Sequence, residues 1–289
     1  MESFETSEEM RNAIMQARAE GASVGFVPTM GALHGGHRSL FREAVAENDR
    51  VAISCYVNQN QFDTAEDAQK YPRNFQQDKD VARQETVDYF FLPADEEIYP
   101  PGDCTKIEVE SPVTRCYEGT IRPNFFEGVA RVVTKLLNIV PADRVYFGEK
   151  DLQQYIMVRR LVEDLKLEPE IRPVPVKRDE NGVACSSRNR GFNDKNWETA
   201  ARVHQIMQDI KNEAGRITRK NLFEKYVPRL EEAGIDLQYL DVVRFPSYDP
   251  AWPADEDSVL IIAGYVGEVR LKDNLPLHAD SVARLEEKF

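Results

Sequence analysis

The chain has 289 residues, 42% hydrophobic and 30% charged, with 37 lysines and arginines against 50 aspartates and glutamates and a formal net charge of −13. That length suits one large or two modest domains with a buried core, and the acidic balance argues against a surface for nucleic acid or an anionic membrane. Four cysteines without a CxxC pair (Cys55, Cys104, Cys116, Cys185) read as reduced thiols, no signal peptide is evident at the acidic N-terminus, and no stretch reaches membrane-spanning length, so a cytoplasmic protein is expected.

Residues 1–21 carry an acidic helical pattern. The apolar run 24–27 reads as a buried strand and leads into PTMGALHGGH at 28–37, after which Leu40, Phe41, Ala44 and Val45 mark a helix over 36–48. A strand, a glycine-rich turn and a helix N-terminus present backbone N–H groups and a positive dipole end to phosphate. Gly35 and Gly36 let the backbone approach a nucleotide closely. His34 and His37, three residues apart, project to one side, and near a helix start the neutral ring is favoured; two donors would then face one phosphate. The competing readings are a cap with packed imidazoles, or a shared metal. Only His204 and His278 remain elsewhere, without an HExxH or cysteine framework, so zinc is not expected.

Further strands are expected at 51–57, 87–92, 144–147 and 171–176, with helices at 75–85, 128–140 and 151–165. This alternation predicts an α/β fold, a Rossmann-like parallel sheet with helices on both faces and ligands beyond the carboxyl ends of its strands. Between 93 and 123 the rhythm breaks, leaving one strand candidate at 106–110. Past a hairpin signal at Asn181-Gly182, helices near 197–213 and 221–233 and strands near 238–244, 258–263 and 268–272 predict a smaller α+β C-terminal domain. The expected division is 1–179 and 180–289. GASVG at 21–25 matches an esterase pattern but precedes a strand instead of following one, and no Walker A or GxGxxG sequence occurs.

YFGEKDLQQ at 146–154 ends a strand and opens a helix, with Gly148 for a tight turn and Glu149 and Asp151 suited to a helix start. Lys150 is a cation where the helix dipole disfavours one; an anionic partner explains it, and so does a solvated surface lysine. CSSRNR at 185–190, with Lys177 and Arg178 on the opposite arm of the hairpin, offers Ser186, Ser187 and Arg188 as multidentate phosphate ligands or as a polar surface loop. YVNQNQF at 56–62 leaves Asn58 and Gln61 at the sheet's carboxyl edge. Such neutral amides suit a small hydroxy acid, although they are also ordinary turn formers.

PTMGALHGGH resembles the signature of the pantothenate synthetases, ATP-dependent ligases of the HIGH-type nucleotidyltransferase superfamily that join pantoate to β-alanine. GEKDLQQ, SSRN, KYPR at 70–73, FEGVARVVTKLLNIV at 126–140 and EVRLKDN at 268–274 resemble family segments as well, so the likeness spans nearly the whole chain. It implies ATP contacts from Met30, Gly31, Ala32, Leu33, His34, Gly35, Gly36, His37, Gly148, Glu149, Lys150, Asp151, Lys177, Cys185, Ser186, Ser187 and Arg188. Among these, His34, His37, Lys150, Ser186, Ser187 and Arg188 would be catalytic by neutralising phosphate charge, with Asp151 suited to the ribose hydroxyls. Asn58, Gln61, Arg122 and Gln154 would serve pantoate and β-alanine. The resemblance also implies Mg2+ with ATP, its protein ligands unassigned, a C-terminal domain that acts as a lid, and a homodimer.

The implied reaction has two steps, formation of a pantoyl adenylate with release of pyrophosphate, then attack by β-alanine to give pantothenate and AMP. A related HxGH transferase or ligase with another acid, and a non-catalytic paralogue that binds nucleotide or acid, are the alternatives. The chain departs from the family pattern at Gln59 (usually proline), Phe125 (usually histidine), Glu127, Gly191 and Phe192 (usually Tyr-Leu), and Cys185 (usually larger and apolar).

Overall fold

Six parallel strands form one sheet: β1 (Glu2–Phe4), β2 (Val24–Thr29), β3 (Arg50–Cys55), β4 (Tyr89–Phe91), β5 (Arg144–Gly148) and β6 (Glu170–Val174), in the spatial order β1-β4-β3-β2-β5-β6. The computed structural model describes residues 1–62, 68–69, 71–280 and 282; Lys70 of the KYPR segment lies outside the described residues. The chain gathers into two compact units, Met1–Gly148 with Gln153–Val174, and Glu149–Leu152 with Pro175–Phe289. No helix among the described residues is long and apolar enough to cross a membrane.

In the first unit the helices are α1 (Ser7–Ala19), α2 (Gly35–Glu47), α3 (Phe75–Gln84), α4 (Phe125–Ile139) and α5 (Leu152–Leu165). The strand order reverses at β2, whose neighbours are β3 and β5, and such a switch point is where ligands of parallel sheets bind. Val27, Ile53 and Phe90 from neighbouring strands are fully buried with Phe41 and Ala44 of α2 and Ala82 of α3, which fixes both helices against the sheet.

Three expectations for this unit needed correction. Residues 2–4 form an edge strand instead of continuing the N-terminal helix, which starts at Ser7 behind a Thr6 cap. Residues 106–110 belong to no strand; Ile107 and Val109 are half-buried in alternation, but the segment has no ladder, and single helical turns follow at Pro112–Arg115 and Glu118–Ile121. Helix α4 also begins earlier than expected, because Phe125 and Phe126 are buried and extend its apolar face.

The second unit carries an antiparallel sheet, β7 (Ile235–Arg244), β8 (Ser258–Val266) and β9 (Val269–Pro276), in that order. Helix α6 (Asp194–Asn212) and the segment ending in α7 (Val227–Ala233) supply Met207, Ile210, Tyr226 and Leu230 to a core shared with Val242, Leu260 and Ile262. The Asn181-Gly182 hairpin shrinks to a tight turn closed by one bridge, Arg178 to Ala184. Asp179 Oδ1 accepts from Asn181 N (2.9 Å) and Val183 N (2.8 Å) inside it, so the side chain takes over bonds a longer ladder would make.

Candidate active site

The first constellation lies at the carboxyl end of β2. His34 caps α2, and its Nδ1 accepts from Gly36 N (3.1 Å), while His37 Nδ1 accepts from His34 N (3.2 Å). The two rings sit 4.0 Å apart between centroids. A ring nitrogen that accepts carries no proton, so each imidazole is the neutral tautomer with its proton on Nε2. No acidic residue occupies the first turn of α2, which leaves its positive end uncompensated by side chains there.

Backbone N–H groups upstream of the cap turn inward. Gly31 N donates to Thr29 Oγ1 (3.1 Å), Ala32 N to Asp78 Oδ2 (3.0 Å) and Leu33 N to Asp78 Oδ1 (2.8 Å). The backbone amides from Gly31 to His34 are thus all engaged inside the protein.

Beside this turn, Asn58 is buried and has its hydrogen-bonding capacity filled. Its Nδ2 donates to Gln61 Oε1 (3.1 Å) and Gly128 O (3.0 Å), and its Oδ1 accepts from Tyr99 Oη (3.0 Å) and Asn60 N (3.4 Å). With Gln61 Oε1 held in this way, the Gln61 amide points its Nε2 at the Met30 thioether, 2.7 Å away. Gly128 permits this loop to approach α4, since a Cβ there would overlap Asn60 O. Arg122 is buried, donates through Nη2 to Gln61 O (2.8 Å), and stacks its guanidinium 4.1 Å over the Phe125 ring. The unit thus brings Met30, Asn58, Gln61 and Arg122 together. Gln154 stands half-buried in the first turn of α5.

The second constellation belongs to the other unit. Lys150, in the 3-10 turn Glu149–Asp151, lines a cleft with Ser186, Asn189, His204, Lys272 and Asp273. Asn274 Nδ2 donates to Glu149 O (2.8 Å) and Lys150 O (3.1 Å), tying the turn to β9. Burial draws the Lys150 amine below its ordinary value, with Asp151 opposing. Burial disfavours the Asp151 anion, yet Lys272, 2.5 Å away, and Lys150 outweigh it and hold that carboxyl well below the usual range. Arg178 locks Asp273 through two bonds (2.6 and 3.0 Å). Ser186 caps the 3-10 helix Ser187–Gly191 by accepting from Arg188 N (3.3 Å). Ser187 and Cys185 are half-buried, while Lys177 and Arg188 are exposed.

Positions that depart from the family pattern have their own partners. Gln59 Nε2 donates to Asp95 Oδ2 (2.9 Å), Glu127 pairs with Lys106 (3.4 Å), and Gly191 lies so near Val269 that a Cβ would come within 2.9 Å of it. The sequence reading passed over Asp78, Tyr99 and Gln153. Gln153 is buried and clasps Val113 O (2.6 Å), Cys116 O (3.0 Å) and Glu118 N (3.1 Å). None of the three sits in a telling spacing; only the doubled glutamine drew attention, and to its other member.

A family model described as Pantoate-beta-alanine ligase matches residues 2–276. A pantothenate synthetase of Caldicellulosiruptor saccharolyticus is 39% identical over 272 residues, covering 92% of this chain and 96% of its own. A crystal structure of pantothenate synthetase from Thermus thermophilus superposes with a TM-score of 0.88 at 36% identity, over 96% of this chain and 100% of that one. A pantoate-beta-alanine ligase from Francisella tularensis, complexed with beta-gamma ATP and beta-alanine, gives a TM-score of 0.83 at 33% identity, over 96% of this chain and 98% of that one.

Proposed function

Because the chain belongs to the pantoate–β-alanine ligase family, we propose a division of its chemistry among the residues described above. The enzyme condenses pantoate with β-alanine at the expense of ATP. In the first step a carboxylate oxygen of pantoate attacks the α-phosphorus, and the bond to the β-phosphate oxygen breaks to release pyrophosphate. In the second the β-alanine amine attacks the acyl carbon of the adenylate, loses a proton, and expels AMP.

His34 and His37 donate from Nε2–H to phosphate oxygens as negative charge shifts onto the leaving pyrophosphate. Neutral imidazoles can do this without the cost of holding a cation at a helix N-terminus. Lys150 and Arg188 offset phosphate charge and Ser186 and Ser187 add hydrogen bonds to it, with Asp151 reserved for ribose hydroxyls and the backbone and side chains of 30–36, 148–149, Lys177 and Cys185 lining the nucleotide. Gln61 and Gln154 contact pantoate, and Arg122 pairs with a substrate carboxylate or holds the Gln61 loop in place. Asn58 acts through Gln61, whose Oε1 it holds, so that the second N–H of an amide already bonded to the Met30 thioether is left for a substrate oxygen.

Mg2+ is proposed to enter on ATP. Magnesium keeps several waters and binds largely through substrate phosphates, and among the described residues no group of three His, Cys, Asp or Glu side chains is placed to hold a metal. A homodimer is the proposed solution state.

The observation that carries the assignment of the histidines is their reciprocal cap, which puts the proton of each ring on Nε2. The test is incubation with Mg·ATP and D-pantoate, with and without β-alanine, following AMP and pantothenate by mass spectrometry, for the wild type and His37→Ala. Pantothenate and AMP formed together only with all three substrates, and lost in a folded His37→Ala, is the expected result. Full activity in that variant would remove His37 from the chemistry.

A further inference from the structure

Asp78 is only 2% exposed, and it lies on α3, outside the glycine-rich turn. Each of its carboxylate oxygens accepts one backbone N–H, from Ala32 at 3.0 Å and Leu33 at 2.8 Å. The turn is shaped around it. Gly31 has φ +78 and Ala32 φ +53, and a Cβ on Gly31 would come within 2.8 Å of Asp78 Oδ2. Successive amides with left-handed backbone form an anion-binding concavity. Here the anion in that concavity is the protein's own carboxylate.

We infer that Asp78 is a positioning residue, whose carboxylate fixes the backbone of residues 31–33 so that the next two links in the chain, the His34 and His37 caps, aim both Nε2–H groups outward. Charge-assisted bonds to two buried amides are strong and directional. They end one residue before His34 N, which His37 itself receives. Thr29 Oγ1, which donates to Ser54 O at 2.6 Å, anchors Gly31 N from the strand side, so every N–H from 31 to 34 is accounted for. The carboxylate does no chemistry. It selects the one turn geometry in which the imidazoles serve as donors, and a displacement of about 1 Å at such donors costs on the order of 10²-fold in rate.

This inference rests on the assignment of His34 and His37 to the nucleotide phosphates, and the experiment separates the two. Asp78→Asn keeps the side chain's size but offers one acceptor oxygen and sets an NH2 against a backbone N–H. Asp78→Ala removes both acceptors. Each variant is assayed for pyrophosphate release with Mg·ATP and pantoate below its own unfolding onset. The histidine tautomers are read in parallel from long-range 1H–15N spectra of the ligand-free protein.

The expected result is two single Nε2–H signatures in the wild type and averaged tautomer signals in Asp78→Asn, with kcat/KM for ATP down about tenfold in Asp78→Asn and about 10²-fold in Asp78→Ala. A lower melting temperature with unchanged histidine spectra and wild-type kcat/KM in Asp78→Asn would reduce Asp78 to a fold-stabilising residue and overturn the inference. Should His37→Ala retain full turnover, the phosphate assignment fails instead, whatever Asp78 does.

Discussion

His34 and His37 cap each other: each ring accepts a backbone N–H at the start of α2, and each thereby carries its proton on the opposite nitrogen. A single pair of residues thus caps the helix, and the proposed function adds a second role as ligand donor. The two roles use different ring nitrogens, so they separate by substitution. Asparagine mimics the Nδ1 position and glutamine the Nε2 position. His37→Asn is expected to keep the melting temperature and to lose about 10²–10³-fold in adenylate formation. His37→Gln is expected to retain more activity but to unfold earlier, by an amount near the roughly 1 kcal/mol of a lost cap. Equal loss of activity in both would show that the two roles are inseparable at this position.

Burial makes the contribution of Lys150 to stability depend on pH. Its folded value lies below the unfolded 10.5, chiefly through burial. The unfolded chain therefore holds this proton more tightly, and the residue's contribution to stability grows as pH rises from the folded value toward 10.5. Lys150→Met is expected to match or exceed the wild type in thermal midpoint at pH 7, with that advantage shrinking toward pH 10.5, while turnover falls about 10²–10³-fold. A variant less stable than wild type at pH 7 would contradict this account.

Glu85, nearly buried, is gripped by Arg42 (2.7 Å) and Arg38 (2.6 Å), which joins α3 and α2 behind the histidine turn. Hydrogen bonds from Arg42 lead the causes that hold its carboxyl below 4.5. That contribution is full above the unfolded value and disappears as pH falls through the folded one. Glu85→Gln should therefore lower stability by a constant amount between pH 7 and 8 and flatten the acid limb of a stability-against-pH curve. Retention of the wild-type acid limb in the variant would assign acid lability elsewhere.

Tyr99 reaches Gln61, proposed above to contact pantoate, through Asn58. Tyr99→Phe removes one hydrogen bond, worth about 0.5–1.5 kcal/mol, and frees the Asn58 amide to turn, which loosens Gln61. The expected outcome is a severalfold rise in KM for pantoate with KM for ATP unchanged. A rise in KM for ATP instead would place this chain of hydrogen bonds at the nucleotide.

The local structure of the candidate site was legible because its strongest signal lies in one short segment. PTMGALHGGH spells a strand end, a turn and a helix start within ten residues, and the structure forms them in that order. The parallel sheet followed from alternation, since β3 and β5 carry apolar runs buried on both faces. Other features needed partners distant in sequence. Residues 2–4 become a strand only by pairing with Tyr89–Phe91, and 106–110 fail to become one for want of a neighbour. Sequence offers Asn58 as a ligand amide, and does not show that Tyr99 and Gly128 bond it from 41 and 70 residues away. Asp78 sits in a polar stretch, FQQDKDVARQ, where nothing distinguishes it from its neighbours until the fold buries it.

Ala32 takes a left-handed backbone angle, φ +53, that glycine would adopt with ease and that costs an ordinary residue about 1–2 kcal/mol. A search for stabilising replacements would therefore single out Ala32→Gly. The same change would let the turn wander among shapes that the methyl group forbids. The folded chain gives up thermodynamic comfort at this one residue, and the gain is stiffness in the segment that sets the imidazoles. Consensus-style stabilisation should stop short of it.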